Sequence, residues 1–137
     1  MTKEKAIILI NKIFNKTYFT YSELCCKCGC ETFRGDVEFL KKLLLFRIIY
    51  DTPFIPRSVY RCFNHKDYSI NHAGFAVDIP CQKGNSHQRF KIIQSALKAG
   101  FKRIGIAKNY IHLDTNPKYN GTLLESVIWV YKDHFLK

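Results

Sequence analysis

The sequence is short of acids, of long apolar runs and of repetition. Asp and Glu total 11 against 22 Lys and Arg, for a net charge of +11 at pH 7. That balance favours a polyanionic partner: nucleic acid, anionic lipid or an anionic cell wall. The lysines are spread along the chain (Lys3, Lys12, Lys41, Lys98, Lys108 among them), which reads mostly as solvated surface. The patterns of a helix-turn-helix, a zinc finger or an aromatic platform for single strands are missing. Nucleic-acid binding therefore rests on charge alone. No stretch approaches the ~20 apolar residues that cross a bilayer, so no membrane span is expected. The opening MTKEKAIILINKIF has an apolar run only from Ala6 to Ile10, too short for a secretory leader. Synthesis in a cytoplasm is the expectation. No repeat or low-complexity linker divides the chain, so residues 1–137 are expected to form one domain.

What is present is enough for a core. The chain is 47% hydrophobic and 15% aromatic, which suits a folded domain of this size. Ile7, Ile10, Ile13 and Phe14 form a helical stripe over residues 3–14. Thr20 or Ser22 can cap a short helix. Asp36 caps a longer one that ends before Pro53, with Val37, Leu40, Leu44 and Ile48 near helical spacing. FIPRSVY (54–60) and GFAVDI (74–79) read as strands, the prolines of the first suggesting an edge or an irregular start. A helix follows, capped by Asn85 or Ser86 and stopped by Gly100, with Phe90, Ile93, Ala96 and Leu97 as its buried face. FKRIGI (101–106), YIHLD (110–114) and SVIWVY (126–131) are short strands. The order predicts an α+β fold, a small mainly antiparallel sheet packed on helices.

Six cysteines need an account: Cys25, Cys26, Cys28, Cys30, Cys62 and Cys81. The C-x-C-x-C spacing is tighter than the usual pairs of a tetrahedral zinc site. Buried thiols, or one conditional disulfide to Cys62 or Cys81, is the reading from spacing.

Candidate chemistry gathers in SINHAGFAVDI (69–79) and YIHLD. Asp78 lies near the end of one strand. His112 and Asp114 are two residues apart on another, hence on one face. Asn71 or His72 precedes the Gly74 turn. Three such ligands with one position open to water would make a catalytic zinc site.

At these residues the chain resembles the M15 zinc peptidases, the D-alanyl-D-alanine carboxypeptidases and L-alanyl-D-glutamate endopeptidases that cut peptidoglycan stem peptides. The likeness is to the short phage and prophage branch, and it covers about residues 19–131, leaving 1–18 as an N-terminal helical extension. FTYSELCCKCGC, SVYRCFNH, SINHAGFAVDI, GFKRIGIAKNYIHLDTNP and VIWVY resemble the branch's motifs in order. The resemblance implies the Hedgehog/D-Ala-D-Ala peptidase architecture and one zinc ion. It matches Asp78 and His112 to metal ligands and Arg61 to the arginine that holds a substrate carboxylate. Asp114 is the nearest carboxylate for catalysis, orienting His112 or assisting proton transfer.

The chain departs from the pattern in three places. The family's first zinc histidine falls on Asn71, and the loop before it is short. Either that loop re-registers His72 into the site or the first ligand is lost, with His65 as a reserve. Asn109 stands where some branches carry an acid, and Val59 replaces the usual glycine. The implied function is zinc-dependent hydrolysis of amide bonds in stem peptides, with His72, Asp78 and His112 as ligands. The protein would then act on the cell wall after release or as part of a phage particle. The alternative is a metal-free relative acting as a wall-binding or virion structural protein.

Overall fold

The computed structural model describes residues 2–64, 71–116 and 126–131. Among the described residues, four helices come before and between four strands: α1 (Lys3–Phe14), α2 (Tyr21–Leu24), α3 (Val37–Tyr50), β1 (Ala76–Pro80), α4 (Ser86–Lys98), β2 (Arg103–Ile106), β3 (Tyr110–Asp114) and β4 (Val127–Val130). The architecture is α+β. The sheet order is β1-β3-β2-β4. β3 pairs antiparallel with β1 and β2, while β4 runs parallel to β2. The sheet is therefore mixed.

Local chemistry accounts for the helix starts. Thr2, Asp36 and Asn85 accept from Lys5, Phe39 and Gln88 backbone amides, each satisfying a donor that the first helical turn leaves open. At α2 the Thr20 amide donates to Glu23 at 3.0 Å. Past α3, Asp51 takes the left-handed conformation that ends the helix.

Two helices are rotated from the expected faces. In α3 the buried residues are Phe39, Leu40, Leu43, Phe46 and Tyr50, whereas Val37 and Ile48 are exposed. Glu38 and Lys41 lie opposite these buried residues and are exposed, so the side that carries the large rings turns inward. Phe46 and Tyr50 stack at 5.3 Å, and both meet Phe54. In α4 the buried residues are Ile92, Ser95 and the expected Ala96, followed by the capping Ala99, while Phe90 and Leu97 are exposed. The small side chains let α4 lie close to α3 and the sheet. Removing a buried phenylalanine such as Phe39 or Phe46 costs about 3–5 kcal/mol in cores of this kind.

The N-terminal helix belongs to the same core. Ala6, Ile10 and Phe14 are buried in it, and Phe14 meets Phe19 edge-on at 5.1 Å.

The expected strand at 54–60 does not form. Pro53 and Pro56 remove ladder donors, and the segment makes a single bridge, Ser58 to Asp78. It still covers the outer edge of β1: Asp78 donates to Ser58 at 2.8 Å, and Arg57 donates back at 3.0 Å.

Side-chain alternation splits the sheet into two faces. Val77, Ile79, Ile104, Ile111 and Leu113 are fully buried in the core. The opposite face carries Asp78, His112, Gly105 and Trp129 in one row across all four strands, since each is the register partner of the next.

Candidate metal centre

The row across the sheet positions two ligands. Asp78 and His112 are directly opposed on β1 and β3, and His112 Nδ1 lies 2.9 Å from Asp78 Oδ1. The third comes from the turn before β1. Residues 71–74 are held by hydrogen bonds from Phe75 to the Asn71 carbonyl and from Asp36 to the Gly74 carbonyl. Gly74 has φ +120°, and a Cβ there would meet the Arg34 carbonyl at 3.1 Å, so this turn needs glycine.

The turn directs His72 inward. Its Nδ1 lies 2.7 Å from the Val59 carbonyl, and its Nε2 is 3.4 Å from Asp78 Oδ1. Asn71 instead accepts from the Asn116 side-chain amide at 2.8 Å. One ligand atom from each of His72, Asp78 and His112 falls within 4.8 Å of the others, and all three residues are buried. His65 lies outside the described residues, as does His134, and His87 is exposed.

The donor chemistry fits a cation. A carbonyl only accepts, so His72 Nδ1 carries a proton and donates to Val59. A ring with no second proton would point its Nε2 lone pair at Asp78 Oδ1, acceptor facing acceptor, whereas a proton on Nε2 would donate to that oxygen. His112 has the same conflict, with Nδ1 on Asp78 and Nε2 2.8 Å from Asp114 Oδ2. A neutral imidazole has one proton for these two carboxylates. Either extra protons or one metal ion among the three residues resolves both conflicts.

The titration tendencies agree. Burial opposes ionisation of Asp78, but hydrogen bonds with His112 and His72, and their charges, hold its pKa well below the usual carboxylate range. Burial disfavours the His112 cation, yet the hydrogen bonds to Asp114 and Asp78 raise its pKa. Asp114 is also lowered: burial opposes it, while His112, the Asn116 amide and Arg103 prevail.

Asp114 stands behind His112 and away from the cavity. Its Oδ1 accepts from Arg103 Nε at 2.7 Å and from the Asn116 amide at 3.2 Å, and it is 1% exposed. This geometry orients the imidazole, as carboxylates behind metal-bound histidines do.

In front of the three ligands is a cavity of about 200 Å³, lined by Arg61, Asn71, His72, Asp78, Tyr110, His112 and Tyr131. Arg61 reaches it from the irregular segment beside β1. Its Nε donates to Ser58 Oγ at 2.9 Å, and its guanidinium lies 3.3 Å from Asp78 Oδ2. Tyr131 is pushed up to about 12, chiefly by burial, and Tyr110 is raised too, burial again leading. Both phenols stay protonated at neutral pH and can donate. Trp129 lies 5.6 Å from the His112 ring.

The sequence reading missed Arg103, Asn116, Tyr110, Tyr131 and Trp129 as parts of the site. Arg103 was within reach: a tight connection between FKRIGI and YIHLD sets it opposite Asp114, the observed pairing. Trp129 was not, because its place depends on β4 pairing in parallel with β2. Comparison with known proteins gives no significant match to any family model, curated protein or solved structure.

Proposed function

We propose that the protein is an M15-type zinc peptidase that hydrolyses amide bonds in peptidoglycan stem peptides. The observation that carries this reading is the convergence of His72, Asp78 and His112 on one cavity that Arg61 also lines. A zinc ion held by three protein ligands with an open position activates water and polarises the scissile carbonyl.

The chain's own residues do the rest. Asp114, fixed by Arg103, sets the orientation of His112. Arg61 binds a peptide carboxylate, for which a guanidinium fork is suited. Tyr110 and Tyr131 offer phenol donors to a carbonyl oxygen in the cavity. The net charge of +11 keeps the protein near an anionic wall. In this reading the protein is made in a cytoplasm and reaches the wall after release or as part of a phage particle.

The test pairs zinc content by mass spectrometry with release of new amines from purified peptidoglycan. Zinc bound through His72 and new amines that disappear with His112→Ala are expected. A protein without zinc that releases nothing across several wall chemotypes would instead be the metal-free wall-binding or virion protein that Asn71 first suggested.

A further inference from the structure

We propose that Cys26, Cys28, Cys30 and Cys62 hold a second, structural zinc ion, which ties the segment carrying Arg61 to the loop after α2. One sulfur from each of these four cysteines lies within 4.8 Å of the others. A tetrahedral Cys₄ zinc site with Zn–S bonds of about 2.3 Å sets its sulfurs about 3.8 Å apart, so the cluster is near the required size. All six cysteines of the chain are free thiols.

The C-x-C-x-C spacing is accommodated by the backbone. Gly29 (φ +104°) and Glu31 (φ +54°) both take left-handed conformations, and the Cys26 amide closes the loop on the Thr32 carbonyl at 2.7 Å. The loop curls so that three thiols from five residues face one point. The fourth arrives from the segment beside β1, with Cys28 Sγ and Cys62 Sγ 3.5 Å apart. The spacing is tighter than the usual pairs of a tetrahedral zinc site, and in this proposal the curled backbone and Cys62 make up for it.

Backbone donors already surround the sulfurs. The Cys62 amide donates to Cys26 Sγ at 3.3 Å, and the Thr32 amide donates to Cys30 Sγ at 3.5 Å. Four thiolates around a divalent ion keep excess negative charge, which such amides stabilise. Cys25 is buried near the Ser22 carbonyl and Cys81 near Gln82, and neither joins the cluster.

The consequence reaches the first site. Cys62 follows Arg61, whose amide donates to the His72 carbonyl at 2.9 Å. The Tyr60 amide donates to the Leu24 carbonyl at 3.3 Å. Residues 57–62 have no helix or strand to hold them. Backbone hydrogen bonds to Asp78, Leu24 and His72 hold the segment, and a zinc clamp at Cys62 would add a metal anchor at its end, beside Arg61 and the turn of His72.

The experiment is cobalt substitution of the full chain under reducing, oxygen-free conditions, with metal counted per chain. Intense thiolate-to-cobalt charge-transfer absorption in the near ultraviolet is expected. It should persist in a His72→Ala/His112→Ala chain, which has no thiolate at its other site, and vanish in Cys28→Ser/Cys30→Ser, both exposed positions. Wild type should bind two metal ions and each of these variants one. A wild-type protein without the charge-transfer band overturns the proposal whether or not any variant folds, as does a Cys28–Cys62 disulfide or an iron–sulfur chromophore in freshly reduced protein. A band with a single bound metal would leave this site standing and remove the peptidase reading; a single metal without the band would do the reverse.

Discussion

Replacing His72 with alanine should abolish tight zinc binding at the sheet site, and replacing Asn71 should not. Structural zinc sites in small domains are worth about 10–16 kcal/mol over four protein ligands, or about 2.5–4 kcal/mol per ligand. At 1.4 kcal/mol per tenfold, losing His72 raises Kd about 10²–10³-fold. The side chain has a second role, since its Nδ1–H satisfies the buried Val59 carbonyl at 2.7 Å. An unsatisfied buried acceptor costs about 1–3 kcal/mol of folding stability. Asn71→Ala removes the hydrogen bond from Asn116 at 2.8 Å, worth about 1 kcal/mol of stability, with little change in zinc affinity expected.

The assay is zinc titration against a competing chelator. It can be read from the single tryptophan, Trp129, whose ring lies 5.6 Å from that of His112. Urea denaturation of the metal-free proteins supplies the stability difference separately. The reasoning is refuted if His72→Ala binds zinc as tightly as wild type, or if Asn71→Ala is the variant that loses it.

Metal-free protein should show a stability optimum at mildly acidic pH. Asp78 and Asp114 are depressed, so their contribution is present above the unfolded value of ~3.9 and is lost as pH falls through their folded values. His112 is raised, so its contribution is present below ~6.5 and is lost as pH rises through its folded value. Zinc needs the unprotonated ring, so the added stability from zinc should be larger at alkaline than at acid pH; denaturation curves with and without metal check both. Arg61→Ala should lower kcat/KM on peptides with a free carboxylate by about 10–100-fold, the worth of a hydrogen bond to a charged group, with sheet-site zinc retained; an unchanged kcat/KM would remove its assigned role. Gly105→Ala would set a Cβ 2.7 Å from both Trp129 and Tyr131, and the overpacking should cost about 1–3 kcal/mol and alter Trp129 fluorescence.

The sheet strands were the most legible part of the fold. YIHLD forms β3 over the expected residues, FKRIGI and SVIWVY lose only terminal residues, and the strand expected at 74–79 starts two residues later and ends one residue later, at Pro80. Period-two alternation with an apolar face is a strong pattern, and it also set Asp78 and His112 off from Val77, Ile79, Ile111 and Leu113. Helix ends were legible through Asp36, Asn85 and Gly100. Helix faces were not. In α4, hydropathy ranks Phe90 and Leu97 above Ser95 and Ala99, yet close packing against α3 selects the small residues. The segment 54–60 has strand-like side chains, but its prolines left it a single bridge.

The site's first ligand turned on a register that strand parity could not supply, because β1 begins at Ala76, after both candidates. What decides between them is contact with segments distant in sequence. The Val59 carbonyl takes His72 Nδ1–H, and the Asn116 amide takes Asn71 Oδ1. Val59 stands where a glycine was expected, and it is 3% exposed. Its backbone, held in place by Ser58 on the edge of β1 and by Tyr60 on Leu24, presents the carbonyl that turns the His72 ring. Under the proposed M15-type reading, the first ligand would sit one residue further along the chain than the family pattern places it, with the Val59 carbonyl as the acceptor for its other nitrogen. The same segment continues into Arg61 and Cys62. Residues 58 to 62 thus meet the β1 edge, the His72 ring, the end of α2, the cavity and the cysteine cluster in turn, the first three through backbone atoms, which accounts for a path that is fixed in space with no helix or strand.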